Sequence, residues 1–144
     1  MIISIGSDHR GFEVKTKIIK KLNEKGLKTI DKGTNTKESV DYPQYAKMVG
    51  LSVANGESDL GIVLCKTGIG VSIACNKVSG VRCARITRKN DAKLAREHND
   101  ANVLALSADE PEKIVFEIIY EFINTKFSKE SRHIKRIGML EGND

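Results

Sequence analysis

The sequence predicts an α/β protein, a three-layer α/β/α sandwich with a doubly wound, Rossmann-like, five-stranded parallel sheet. Short apolar runs alternate with longer segments of helical periodicity along the whole chain. This alternation indicates a parallel sheet, because each return to the same edge of the sheet needs a crossover helix. The 144 residues are enough for one domain, and no linker or repeat divides them.

The elements follow from apolar spacing and from turn signals. Strands are predicted at residues 2–7, 28–31, 61–65, 80–86 and 102–106. Helices are predicted from the first turn to Gly26, from Asp41-Tyr42-Pro43, after the turn at 66–70, at 90–97, around 114–123 and from about 129. Proline is well accommodated in a first helical turn, and glycine is a common helix stop.

A cysteine ends the third predicted strand, and a glycine-rich turn follows it. The turn consists of Lys66, Thr67, Gly68, Ile69 and Gly70, before a segment of helical character. A strand, a turn and a helix in this order place backbone N–H groups and a positive helix end beside the thiol. Such surroundings make Cys65 a candidate base or nucleophile, and the turn could hold a phosphate or a developing oxyanion. The alternative is a buried cysteine that only closes the strand.

The spacing in this turn excludes three familiar phosphate-binding motifs. A P-loop needs its lysine after the glycines, whereas Lys66-Thr67 precedes them. A dinucleotide fingerprint needs a glycine where Ile73 stands. A cysteine phosphatase loop needs an arginine near Val71. We interpret the segment as a thiol beside an anion-holding turn, which suits proton abstraction next to a carbonyl.

The net charge of +5 and the pI near 9.1 do not by themselves indicate nucleic acid. Many of the lysines fall on one amphipathic helix and its exit, and are predicted to form a solvated face: Lys15, Lys17, Lys20, Lys21, Lys25 and Lys28. The chain has no tryptophan and few other aromatic residues, so it offers no stacking platform for single strands. A basic surface still attracts small phosphorylated metabolites.

The three cysteines and three histidines show no metal-ligand spacing, so no metal site is expected. An odd number of cysteines without a Cys-x-x-Cys motif indicates reduced thiols in a cytoplasm, and we place Cys75 and Cys83 in the core. No membrane span or signal peptide is expected, because the N-terminal apolar run is only a few residues long.

Other polar clusters also fall near strand ends. Ser7-Asp8-His9-Arg10 follows the first strand, where ligands of doubly wound sheets bind. His98-Asn99 instead precedes the fifth strand, so spacing alone does not bring it to Cys65. Arg132 and Arg136 are one helical turn apart and could together hold a phosphate dianion; the alternative is a solvated basic helix.

Several segments together carry a resemblance to a known family. They are Asp8-His9, Asp41-Tyr42-Pro43, residues 61–65 with 67–70, Ser72-Ile73-Ala74, Asn76-Lys77, residues 96–105, and Arg132-His133 with Arg136. Over nearly the whole chain and in this order, they resemble ribose-5-phosphate isomerase type B, a family that includes isomerases of allose and galactose phosphates. The resemblance implies a cofactor-free aldose–ketose isomerase that interconverts ribose 5-phosphate and ribulose 5-phosphate through an enediolate.

The resemblance also implies roles for individual residues. Cys65 matches the general base that moves a proton between C1 and C2, while Thr67 and the amides of the 66–70 turn hold the enediolate oxygen. His98 matches the residue that opens the furanose ring, with Asp8 nearby. The implied substrate contacts are His9, Arg132 and Arg136 on the phosphate, Tyr42 and Asn99 on the sugar, and Lys66, Thr67, Gly68, Ile69 and Gly70 in the turn.

Members of this family are dimers, and some pair into tetramers, with each site drawing residues from two subunits. The resemblance therefore implies that a partner chain supplies His98 and that the helix from about 129 packs on that partner. Two positions depart from the family pattern: Lys66 stands where a glycine is usual, and Asp109 where many members carry a phosphate-binding arginine. The alternatives left open are a hexose 6-phosphate isomerase, a sugar-phosphate-binding protein without turnover and, weakest, a nucleic-acid-binding protein.

Overall fold

The computed structural model describes residues 1–143 and contains a five-stranded parallel sheet. Its strands are β1 (Ile2–Ser7), β2 (Lys28–Asp31), β3 (Leu60–Cys65), β4 (Cys83–Arg85) and β5 (Val103–Ser107). The order across the sheet is β2-β1-β3-β5-β4, and every neighbouring pair is parallel. The predicted fold class is confirmed.

Helices cover both faces of the sheet. They are α1 (Phe12–Glu24), α2 (Tyr42–Ala54), α3 (Ile69–Asn76), α4 (Lys89–Asn99), α5 (Glu112–Asn124) and α6 (Ser131–Leu140). One face carries α2 and α3, the other carries α1, α4 and α5, and α6 packs on α4. No helix within residues 1–143 is both long and apolar enough to cross a membrane.

The alternation of side chains along β3 decides which way the Cys65 thiol faces. Leu60, Ile62 and Leu64 point into the core under α1, α4 and α5. Val63 and Cys65 belong to the second core, under α2 and α3. Because successive residues of a strand point to opposite faces, the thiol lies on the face from which α3 begins.

The fourth strand and the fourth helix differ in length from their predicted ranges. The fourth strand is shorter, because Val81 N–H donates to Val78 O in a turn and Arg82 N–H donates to the Asn102 side chain. The fourth helix is longer and runs to Asn99, which places His98 in its last turn. The long helix near the C-terminus and the short one after it lie close to their predicted positions.

The prediction of a solvated lysine face on α1 is wrong for Lys15. Its side chain is 1% exposed, and its Nζ donates to Asp31 Oδ1 at 2.6 Å. The same oxygen accepts the N–H of Gly33 at 2.8 Å. Lys15 precedes Ile18 by three residues, so its aliphatic stem joins the apolar stripe of the helix, while the ammonium reaches the end of β2.

Candidate active site

Cys65 lies at the carboxyl end of β3, between β1 and β5 in the middle of the sheet. The residue is 5% exposed. Its Sγ accepts the N–H of Gly68 at 3.2 Å, and its carbonyl accepts the N–H of Ala108 at 2.9 Å. The sulfur is therefore buried and has one backbone N–H as a hydrogen-bond donor.

The turn after Cys65 is built around Gly68. This residue has φ 76°, and a Cβ there would lie 2.9 Å from the backbone carbon of Leu106. Only glycine combines that conformation with that close approach. Because α3 begins at Ile69, the N–H groups of Gly70 and Val71 have no acceptor in a preceding helical turn. These donors and the positive end of the helix can hold an oxyanion.

The two polar side chains of the turn, Thr67 and Lys66, differ in their contacts. Thr67 Oγ1 accepts the N–H of Ile69 at 3.2 Å, which turns the hydroxyl towards the first turn of α3. Lys66 is exposed, and its side chain makes no hydrogen bond or ion pair within residues 1–143.

Asp8 stands next to the end of β3, because its N–H donates to Leu64 O at 3.3 Å. The residue is 6% exposed, and its Oδ1 accepts the N–H groups of Arg10 and Gly11 at 3.0 and 3.2 Å. Its second oxygen, Oδ2, makes no hydrogen bond in the described part of the chain. The carboxylate is thus fixed by backbone and keeps one oxygen for a ligand.

His9 and Tyr42 complete this edge of the sheet. His9 Nδ1 accepts the N–H of Val40 at 3.1 Å, so in the neutral ring the proton lies on Nε2. Tyr42, the first residue of α2, packs over the turn: a Cβ on Gly70 would lie 2.6 Å from the Tyr42 Cζ. We refer to Asp8, His9, Tyr42, Cys65 and residues 66–70 as the Cys65 cluster.

A second group of polar side chains gathers on α4 and α6. The rings of His98 and His133 stack with their centroids 4.5 Å apart and their planes at 18°. Asn99 ends α4, and Arg132 and Arg136 are exposed on α6. We refer to His98, Asn99, Arg132, His133 and Arg136 as the His98 cluster.

His133 is the buried member of the His98 cluster. It is 5% exposed, and within residues 1–143 its Nε2 has no hydrogen-bond partner, the nearest carboxylate oxygen there being Glu130 Oε2 at 3.9 Å. Burial lowers the pKa of His133, the charges of Arg132, His98 and Arg136 lower it further, and Glu130 opposes them. The ring is therefore an uncharged surface beneath His98.

Within one chain, the two clusters lie at opposite ends of the strands: the Cys65 cluster at the carboxyl ends and the His98 cluster at the amino ends. Cys65 pairs with Ser107, the last residue of β5, whereas His98 precedes the first residue, Val103. The five residues of β5 span about 13 Å. As the order of the elements predicted, one chain does not bring His98 to Cys65.

The other two cysteines differ from Cys65. All three are free. Cys75 is fully buried, and its Sγ donates to Ala46 O at 3.1 Å. Cys83 is half-buried rather than in the core, and a hydrogen bond with Cys75 together with burial raises the pKa of its thiol. Cys65 instead accepts an N–H, which distinguishes it as the candidate base.

Sequence reasoning missed three residues that support these clusters: Val40, Arg85 and His133. Val40 donates to His9, and Arg85 donates to Thr67 O. Neither hydrogen bond can be predicted from a sequence pattern. The burial of His133 had one signal, since Ile137 follows it by four residues and is itself partly buried.

A cavity of about 570 Å³ adjoins the His98 cluster. It lies between residues 76–84, the end of α6 and Asn99, and it does not reach Cys65. The described residues hold no group of three or more His, Cys, Asp or Glu side chains arranged for a metal ion.

Solved structures share this arrangement of sheet, helices and turns. A ribose-5-phosphate isomerase B from Clostridium thermocellum superposes with a TM-score of 0.96 at 43% identity, over 99% of this chain and 96% of that one. The isomerase B from Mycoplasma genitalium, solved with bound ribulose 5-phosphate, gives 0.92 at 38% identity, over 98% and 94%. The fold is therefore that of a class of sugar-phosphate isomerases.

Sequence comparison leads to the same class. The profile of the Ribose/Galactose Isomerase family matches residues 3–140. Ribose-5-phosphate isomerase B of Escherichia coli is 49% identical over 106 residues, which are 74% of this chain and 71% of that protein. The chain belongs to the ribose/galactose isomerase family.

Proposed function

We propose that the protein is an aldose–ketose isomerase that interconverts D-ribose 5-phosphate and D-ribulose 5-phosphate, with Cys65 as the general base. The observation that carries this proposal is the environment of the Cys65 sulfur, which accepts the Gly68 N–H. Beside it lie the N–H groups of Gly70 and Val71, which have no acceptor within the described residues. A base beside oxyanion donors is what enediolate chemistry requires. Family membership and the likeness to the two isomerase B structures support it.

In the proposed reaction, the Cys65 thiolate takes the C2 proton of the open-chain aldose, and the carbonyl electrons move to O1. The thiol then returns the proton to C1. At the same time the hydroxyl proton moves from O2 to O1, and C2 and O2 become a carbonyl group. The developing charge is held by Thr67 and the amides of the 66–70 turn. One such donor contributes about 2.7–4 kcal/mol. The hydrogen stays in the molecule, so the reaction consumes no redox cofactor.

The His98 cluster supplies ring opening and phosphate binding in this proposal. His98 moves the proton that opens the furanose, with Asp8 close to the reacting carbons. Arg132 and Arg136 bind the phosphate with His9, whose Nε2–H is oriented by the bond from Val40. The phosphate lies away from the reacting carbons, so its binding energy holds the open-chain sugar in place.

Because one chain separates the two clusters, we place each active site between two subunits of a homodimer, which could pair further into a tetramer. Exposed apolar side chains lie beside both clusters: Ile69 and Ile73 on α3, and Ile134, Met139 and Leu140 on α6. Burial of these side chains would favour association. In this arrangement α6 packs on the partner as well as on α4. We also place the enzyme in the cytoplasm, in pentose phosphate metabolism.

A parallel assay tests the substrate. Purified protein is given ribose 5-phosphate, allose 6-phosphate and galactose 6-phosphate at equal concentrations, and kcat/KM is measured for each. Highest kcat/KM on ribose 5-phosphate supports the proposal. Preference for a hexose phosphate would identify the alternative isomerase, and binding without turnover of any of the three would identify a silent sugar-phosphate-binding protein.

Complementation tests the shared site. Cys65→Ala and His98→Asn chains are each expected to be nearly inactive as homodimers. In a mixed population half of the dimers carry both variants, and each of those has one intact site, so activity should recover to roughly a quarter of the unmodified level. Mixing Cys65→Ala with Cys65→Ser is the matched control and should recover nothing. Absence of recovery after verified subunit exchange would contradict a site built from two chains.

A further inference from the structure

The carbonyl groups of Cys65, the last residue of β3, and of the two residues after it all accept hydrogen bonds from outside the turn. Cys65 O accepts the N–H of Ala108 at 2.9 Å, and Lys66 O accepts the Ser107 hydroxyl at 2.6 Å. Thr67 O accepts the Nε–H of Arg85 at 2.8 Å. The third bond is unusual, because Arg85 belongs to the edge strand β4 and its side chain crosses to the turn from there.

The bond to Thr67 O has a geometric consequence for the next residue. In a planar trans peptide the C=O and the following N–H point in opposite directions. Fixing Thr67 O towards Arg85 therefore aims the Gly68 N–H the other way, and that N–H is the donor to Cys65 Sγ at 3.2 Å. Arg85 and the sulfur sit on opposite ends of one peptide unit.

Gly68 cannot hold that peptide in place by itself. Glycine populates positive and negative φ about equally, so the unit could rotate and turn its carbonyl towards the sulfur at little conformational cost. The Arg85 side chain supplies a charge-assisted bond that opposes this rotation. It forms no ion pair within residues 1–143, in contrast to Arg82, which is bound to Asp100 and Glu141.

We propose that Arg85 is a positioning residue for catalysis, which keeps the Gly68 N–H directed at the Cys65 sulfur by holding the Thr67 carbonyl. It acts through the peptide unit and touches neither the sulfur nor the reacting carbons. Its effect on turnover rests on the proposed function, but its effect on the thiol does not. With the N–H in place the thiolate is stabilised, and the thiolate is the reactive form of a cysteine.

The test compares Arg85→Met with Arg88→Met. Arg88 is a matched control, since it is three residues away, 76% exposed and, within residues 1–143, bound only to Asp91 in the first turn of α4. Two readouts are taken on each variant: the rate of Cys65 alkylation by iodoacetamide at fixed pH, followed by mass spectrometry of the Cys65 peptide, and kcat and KM for ribose 5-phosphate. Arg85→Lys is the conservative variant, because an ammonium can still donate to Thr67 O.

Arg85→Met should slow alkylation of Cys65 and lower kcat, each roughly tenfold, with KM changed less than twofold; complete loss of an oxyanion donor costs about 10²–10³ in kcat. Arg85→Lys should recover part of both, and Arg88→Met should match the unmodified protein. Unchanged alkylation in Arg85→Met overturns the proposal, whatever its melting temperature. A raised KM with unchanged kcat overturns it too, since Arg85 would then bind substrate. If the unmodified protein lacked isomerase activity, the proposed function would fail, and the alkylation rates would still decide the role of Arg85.

Discussion

The two edges of the sheet hold their polar side chains by different means. In the Cys65 cluster, Cys65 and Asp8 are at most 6% exposed, and Cys65 Sγ and Asp8 Oδ1 accept backbone N–H groups. In the His98 cluster, the arginines are long, exposed side chains on α6, and Arg132 is paired with Glu130. The acceptors at one edge are buried and bound by backbone, whereas the arginines at the other are exposed.

This contrast follows from what each step of the proposed reaction demands. Proton transfer needs the base within hydrogen-bond reach of one carbon, so small displacements are costly. Phosphate binding tolerates longer side chains, because several charged donors can share a dianion. The backbone-bound Cys65 cluster therefore suits the chemistry, and the exposed arginines suit binding of the phosphate by another copy of the chain.

Removal of the thiol is the strongest test of the Cys65 cluster. Cys65→Ala should lower kcat by about 10²–10⁴, the contribution of a positioned base, while binding of ribulose 5-phosphate persists. Isothermal titration gives the binding, and a coupled assay gives the turnover. Cys83→Ala is the control and should keep near-normal activity. Normal turnover of Cys65→Ala would remove Cys65 from the role of base.

Replacement of His98 tests the other edge separately. His98→Asn should lower turnover of ribose 5-phosphate by about 10²-fold, because the ring no longer opens on the enzyme. Erythrose 4-phosphate cannot form a furanose, since its O4 carries the phosphate, and should be turned over as well by the variant as by the unmodified protein. Lys93→Ala, on the same helix, is the control. Equal losses on both substrates would give His98 another role.

The two departures from the family pattern should have smaller effects. Lys66 places a free cation in the turn, whereas Asp109 Oδ1 lies 3.9 Å from Arg10 Nη2, one residue from His9. We expect Lys66→Gly to raise KM about two- to threefold with little change in kcat, the sign of lost uniform binding, and Asp109→Arg to lower KM. Both changes should shrink in high salt, which screens exposed charges.

An unchanged KM for Lys66→Gly at low salt would mean that Lys66 only contacts solvent. An unchanged KM for Asp109→Arg would mean that position 109 lies away from the phosphate. Lys77→Gly, also exposed but at the far end of α3, is the control for loss of one positive charge.

The smallest expected effect is on stability and concerns His133. Burial holds the pKa of His133 below the ordinary value of 6.5, so between that lowered pKa and 6.5 the unfolded chain binds more protons than the folded one. The contribution of the uncharged His133 to the free energy of unfolding is therefore complete above pH 6.5 and is lost as pH falls through the lowered pKa. His133→Phe, which keeps a ring beneath His98, should melt with a shallower decline between pH 7 and pH 5.5 than the unmodified protein. Parallel melting curves would contradict this account.

Local pattern predicted much of the fold and of the Cys65 turn. The short apolar run of residues 61–65 and the apolar spacing of α1 specify elements whose partners need not be known. The position of Gly68 after a strand and before a helix predicts N–H groups near a thiol, and the structure has one at 3.2 Å. The order of α4 and β5 likewise predicts that His98 lies away from Cys65.

What the sequence did not predict depends on partners distant along the chain. The burial of Lys15 needs Asp31 at the end of β2, and the bond from Arg85 to Thr67 O joins positions eighteen residues apart. A lysine within a basic stretch has the same local pattern whether its head meets solvent or a carboxylate. Only the register of α1 against β2 distinguishes the two cases.

The unequal burial of the pair between Lys15 and Asp31 constrains how this part of the molecule can evolve. The Lys15 side chain is 1% exposed and the Asp31 side chain 38%. If Asp31 changed first, an uncompensated ammonium would stay buried, at a cost of about 3–5 kcal/mol. If Lys15 became methionine first, the carboxylate would still be solvated and would keep the Gly33 N–H. Lineages should therefore lose the lysine before the aspartate, so the pair disappears in one order only.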